Sequence, residues 1–124
     1  MTKKFYKCDS CGNVILKLVN SGVPVVCCAK NMTLLEPTPV TSQNRELLPH
    51  VEPLEGGGMR LTMHKNSHCD RGDSDKSFLY LEFEHGGIWL KDHAQSDLEL
   101  RFGTNRPVAL YKYCTHHGLL WLKL

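Results

Sequence analysis

From residue 46 onward the apolar positions recur at every second residue, the period of a strand with one buried face. Met59, Leu61 and Met63 alternate with Arg60, Thr62 and His64 behind a Gly56-Gly57-Gly58 turn. Leu79, Leu81 and Phe83 share one face, and His85-Gly86-Gly87 turns the chain into Ile88-Trp89-Leu90. Leu98, Leu100 and Phe102 alternate with Asp97, Glu99 and Arg101, then Pro107 to Tyr113 forms a long strand and Leu119 to Leu122 a last one. No segment sustains a helical period. Strands at this spacing predict a β-sandwich, with Trp89, Trp121, Phe78, Tyr80 and Phe83 assigned to its core.

The earlier segment is also β-patterned. Val14-Ile15-Leu16-Lys17-Leu18-Val19 is a strand-like run, Asn20-Ser21-Gly22 a turn and Pro24-Val25-Val26 a returning strand, which together predict a hairpin. From Glu36-Pro37-Thr38-Pro39 to Thr41-Ser42-Gln43-Asn44 the composition turns to proline and small polar residues. A linker is placed there, over 37–45, between an N-terminal domain, 1–36, and a sandwich domain, 46–124.

A segment of this size is too short to fold on apolar burial alone, and its cysteines suggest what replaces a core. Cys8-Asp9-Ser10-Cys11-Gly12 holds two thiols on a Gly-ended turn, and the adjacent pair Cys27-Cys28 follows. Together they can complete a tetrahedral S₄ shell for zinc or iron, whose binding energy is also folding energy.

Charge narrows the field of partners. Fifteen basic and 13 acidic residues leave a formal net charge of +2, spread without long runs, so no basic stripe for a nucleic acid is expected. Met1-Thr2-Lys3-Lys4 leads into a strand-like Phe5-Tyr6 without an apolar signal core, and no run approaches membrane-spanning length. The expectation is a soluble cytoplasmic protein with reduced thiols and no membrane partner, which disfavours disulfides among the four N-terminal cysteines.

Tyr6-Lys7-Cys8-x-x-Cys11-Gly12-Asn13-Val14, followed by Val25-Val26-Cys27-Cys28 and Asn31-Met32, resembles the small iron domain of desulforedoxin and of desulfoferrodoxin. Vicinal cysteines favour this likeness over a zinc ribbon, where the second pair is usually another C-x-x-C. The resemblance implies one tetrathiolate iron per chain, held by Cys8, Cys11, Cys27 and Cys28 and cycling between ferric and ferrous states; zinc is the alternative ion.

A second cluster, Tyr113-Cys114-Thr115-His116-His117-Gly118, ends a strand. Its C-x-x-H loop presents a thiolate and an imidazole to one metal. It resembles the Cys-x-x-His-Gly signature of superoxide reductases, the class that includes desulfoferrodoxin and neelaredoxin-like domains. That family implies an immunoglobulin-like sandwich holding a mononuclear iron by four equatorial histidines and an axial thiolate. Carried over, Cys114 is the axial ligand, and His117 and His68 are equatorial ones. The carry-over then departs from the family pattern, with Leu47 at the place of one histidine ligand, Glu46 at that of the lysine thought to attract superoxide, and no histidine from Gly72 to Ser77. His50 and His64 are candidate substitutes. Cys69 is an additional thiol that could join Cys114, His68 and His117 in an S₂N₂ site better suited to zinc.

Two functions stand at this point. One is a superoxide reductase with an electron-relay iron and a reactive iron. The other is a non-catalytic electron-transfer or structural metalloprotein that has lost the second site. The resemblance further implies a homodimer and a small redox donor such as a rubredoxin-like protein.

Overall fold

The structure, a computed structural model, describes residues 5–62, 76–91 and 97–124. The chain divides into two compact units, Met1–Glu36 and Pro37–Leu124. Both are built from strands, with a 3-10 turn at Arg45–Leu47.

In the first unit, β1 (Phe5–Lys7) is the central strand of a three-stranded sheet, flanked antiparallel by β2 (Val14–Leu16) and β5 (Thr33–Leu34). A separate ribbon pairs β3 (Val26–Cys27) with β4 (Lys30–Asn31). The expected hairpin between Val14–Val19 and Pro24–Val26 is therefore replaced by two others. β2 takes β1 as its partner, in the register Phe5↔Leu16 to Lys7↔Val14. The intervening loop closes on itself, Lys17 Nζ donating to the Val23 carbonyl at 2.8 Å, and Pro24 brings no N–H to a ladder. Among the described residues few side chains are buried here: Phe5, Cys8 and Met32.

The second unit is a sandwich of two sheets. The larger runs β10 (Gly86–Lys91), β9 (Phe78–Phe83), β12 (Pro107–Cys114), β13 (Gly118–Lys123) and β6 (Thr38–Pro39). The smaller runs β11 (Leu98–Arg101), β8 (Gly58–Thr62) and β7 (His50–Leu54). Part of the stretch read as linker is thus strand, since β6 pairs in parallel with β13 through Leu120↔Thr38 and Trp121↔Pro39.

Between the sheets lies one core of Leu48, Met59, Leu61, Leu81, Phe83, Leu110 and Leu120. Alternation decides which residues reach it. The register row Ile88–Leu81–Leu110–Leu122 faces inward, so the next row, Trp89–Tyr80–Tyr111–Trp121, faces away. Of the aromatic residues assigned to the core, Phe83 belongs there. Phe78, Tyr80 and Trp121 lie on the opposite face, and Trp89 is 63% exposed.

Candidate metal centres

The Cys8–Gly12 turn is a closed knuckle. The Cys8 N–H donates to the Asn13 carbonyl at 2.8 Å and the Gly12 N–H to the Cys8 carbonyl at 2.9 Å. Gly12 takes φ +84°, which a side chain would oppose. The other two thiols come from the hairpin of β3 and β4, where Cys28 and Ala29 occupy the turn with φ of +53° and +63°. Such a two-residue turn ordinarily selects Asn-Gly, and each L-residue held there costs about 1 kcal/mol or more.

This strained turn brings four sulfurs together. The Sγ atoms of Cys8, Cys11, Cys27 and Cys28 lie within 4.8 Å of one another, and Cys11 and Cys27 stand 3.6 Å apart. A tetrahedral ion with metal–sulfur bonds of about 2.3 Å needs sulfurs roughly 3.8 Å apart, so the cluster fits a tetrathiolate metal. Cys8 is buried, Cys27 half-buried, and Cys11 and Cys28 exposed. The Asn13 side-chain amide donates to Cys27 Sγ at 3.6 Å.

The protonation pattern of the bare cluster points the same way. Backbone hydrogen bonds, first from Cys11 and also from Ser10, lower the Cys8 thiol to about 6. Hydrogen bonding to Cys11, Cys8 and Cys27 pushes Cys28 up to about 12, and Cys11 above all raises Cys27. One sulfur ionises readily and its neighbours resist joining it, because several thiolates in so small a volume repel one another. A cation at their centre removes that conflict, as metal ligation by deprotonated thiols requires.

The second cluster lies at the β12–β13 turn, where Cys114 pairs with Gly118 across the loop Thr115–His117 and Gly118 takes φ +71°. The loop folds around sulfur. Cys114 Sγ stands 3.3 Å from His117 Nδ1 and accepts the His117 backbone N–H at 3.2 Å. Cys114 is buried, with its sulfur engaged in a disulfide in this structure. His117 and His116 are exposed. His50 is exposed on β7, while its neighbour Val51 packs against the core. Leu47 also packs against the core, and its carbonyl accepts the Nζ of buried Lys112 at 2.7 Å. His64, His68 and Cys69 lie outside the described residues. Lys112 was missed by sequence reasoning, because a lysine on an otherwise apolar strand carries no signal of burial.

Residues 1–35 match the family model described as "Desulfoferrodoxin, N-terminal domain". A desulfoferrodoxin of Syntrophotalea carbinolica is 35% identical over 121 residues, covering 92% of this chain and 90% of its own. The chain belongs to the desulfoferrodoxin family. A desulfoferrodoxin of Desulfarculus baarsii is 34% identical over 53 residues, or 42% of this chain and 41% of that one. Among solved structures, the superoxide reductase from Treponema pallidum superposes with a TM-score of 0.68 over 97% of both chains at 13% identity, a likeness of fold. This desulfoferrodoxin-family chain is accordingly all-β, with a small desulforedoxin-like unit followed by an immunoglobulin-like sandwich. Among its described residues no helix is long and apolar enough to cross a membrane.

Proposed function

We propose that this protein is an iron-binding, one-electron redox protein whose working centre is the tetrathiolate of Cys8, Cys11, Cys27 and Cys28. The observation that carries the reading is the convergence of those four sulfurs within 4.8 Å in a chain of this family. Iron in such a cage supplies reversible one-electron transfer between its ferrous and ferric states. The protein's own part is to hold the sulfurs rigidly through the knuckle, so that little reorganises when charge changes. The Asn13 amide, donating to Cys27 Sγ, favours the more electron-rich state. Cys11 and Cys28, both exposed, give the electron its edge toward a donor or acceptor. A small redox protein in the cytoplasm is the partner proposed, and a homodimer the assembly.

Superoxide reduction is the second reading, favoured by the approach of Cys114 Sγ to His117 Nδ1 at 3.3 Å. The reaction would add one electron and two protons to superoxide and release hydrogen peroxide, and the Treponema pallidum protein of similar fold bears that activity in its name. It would require Cys114 as a free thiolate, hence the reduced protein. Leu47 contributes to the core and offers no imidazole, and exposed Glu46 stands, by the family resemblance, in place of the lysine that would attract an anionic substrate.

Metal analysis, visible spectra and pulse radiolysis on protein purified anaerobically under reductant separate the readings. Iron near one per chain, tetrathiolate bands alone and slow superoxide loss indifferent to Cys114→Ser support the relay. Iron near two, a thiolate-to-ferric band and rapid consumption abolished by Cys114→Ser establish the enzyme. Zinc alone at the tetrathiolate would overturn both.

A further inference from the structure

The outer face of the larger sheet carries chemistry that neither metal centre uses. Trp89, Tyr80, Tyr111 and Trp121 are successive register partners across β10, β9, β12 and β13, so their side chains project from one face in a single row. The rings of Tyr80 and Tyr111 lie 6.3 Å apart between centroids. Exposure falls from 63% at Trp89 to 7% at Tyr80 and 0% at Tyr111, and rises again at half-buried Trp121. The row therefore joins an exposed indole to two buried phenols.

Beside it sits a buried carboxylate. Glu82 is 8% exposed, and the Tyr111 hydroxyl donates to its Oε1 at 3.3 Å. Tyr80 leans the same way. Its hydroxyl rests on Gly87, the register partner of Glu82, where any Cβ would collide with it. Burial first, and the Glu82 charge second, raise the Tyr80 phenol above its ordinary value. Aromatic cross-strand pairs stabilise a sheet by packing alone, and a carboxylate hydrogen-bonded to one of the phenols also supplies a base. A phenol that loses an electron becomes a very strong acid, and its oxidation is easy only where a base already holds its hydrogen bond.

We propose that Trp89, Tyr80 and Tyr111 form a relay for single oxidising equivalents, with Glu82 as the proton acceptor of Tyr111. An outer-sphere one-electron oxidant takes one electron from the exposed Trp89 indole. An electron from Tyr111 refills it by way of Tyr80, and the Tyr111 phenolic proton passes to Glu82 Oε1. The products are the reduced oxidant, a neutral tyrosyl radical at Tyr111 and a protonated Glu82, with no bond between heavy atoms made or broken. One electron from a thiol or ferrous donor, with return of the proton, restores the start.

Flash-quench oxidation by photogenerated ruthenium(III) tris-bipyridine tests it, on the holoprotein with its iron ferric so that iron donates nothing. Transient absorption of the wild type should show a tryptophanyl signal decaying into a tyrosyl one. Tyr111→Phe should lose the tyrosyl signal and prolong the tryptophanyl one. Glu82→Gln should slow tyrosyl formation and make it depend on buffer base, which a merely structural role would not do. Should Tyr111→Phe not fold, Trp89→Phe, at an exposed site, decides: the tyrosyl yield should fall. A tryptophanyl signal that never passes on, or a tyrosyl yield unchanged in Trp89→Phe, overturns the proposal.

Discussion

The two units of this chain are both made of short antiparallel strands, yet they are held together differently. Among its described residues the sandwich buries seven apolar side chains in one contiguous core, four of them leucines with no exposed surface. The N-terminal unit buries Phe5, Cys8 and Met32, and leaves Leu18, Val19, Val23 and Val26 more than 60% exposed. Apolar burial at about 25 cal/mol per Å² can hold the first arrangement, and too little is buried to hold the second. The second also carries backbone strain at Cys28 and Ala29 that the first has no counterpart for among its described non-glycine residues. Strand pattern thus specifies a shape, while stability comes from a separate source. In the smaller unit the source we propose is metal ligation by the four clustered thiols.

The widest gap between the units should open at Cys28→Ser. Loss of one thiolate should abolish the coloured centre and unfold the N-terminal unit, leaving the sandwich intact; metal content and circular dichroism check this, and an unchanged visible spectrum would refute the tetrathiolate. Leu110→Ala breaks the comparison from the other side. It should cost the sandwich about 2–5 kcal/mol, measured by denaturant unfolding, and leave the metal in place. Smaller is the effect of Ala29→Gly, which relieves a positive φ and should stabilise the metal-binding hairpin by about 1 kcal/mol, seen as slower metal loss to a chelator. Smallest is a pH effect confined to the sandwich. Tyr80 has a raised pKa in the folded state, so its contribution is complete below the unfolded phenol value of about 10 and declines as pH rises past it, where the unfolded chain gives up the proton first. Tyr80→Phe should flatten the alkaline limb of the stability curve.

Much of this was legible in the sequence, for physical reasons. The four N-terminal cysteines announced a site because nothing else in so short a segment could stabilise it, and alternation at Leu79, Leu81 and Phe83 fixed which face of β9 turns inward. The hairpin partner of Val14–Leu16 was not legible, since β-branched runs state that a strand forms and not which strand it joins. Nor was the aromatic face. Trp89, Tyr80 and Trp121 look like core by hydrophobicity alone, and only the cross-strand register shows that they share a row on the opposite side. Thr38–Pro39 reads as linker because proline is rare in strands, but as β6 it occupies a sheet edge, where proline is tolerated.

The claim that metal folds one unit and apolar burial the other is tested most directly by residue-resolved hydrogen exchange on the full chain before and after metal is stripped with a chelator under reducing conditions. Amides of β1, β2 and β5 should lose their protection when the metal leaves, while those of β8, β9 and β12 keep theirs. Retained protection in β1, β2 and β5 without metal would contradict the account, and so would its simultaneous loss from both units.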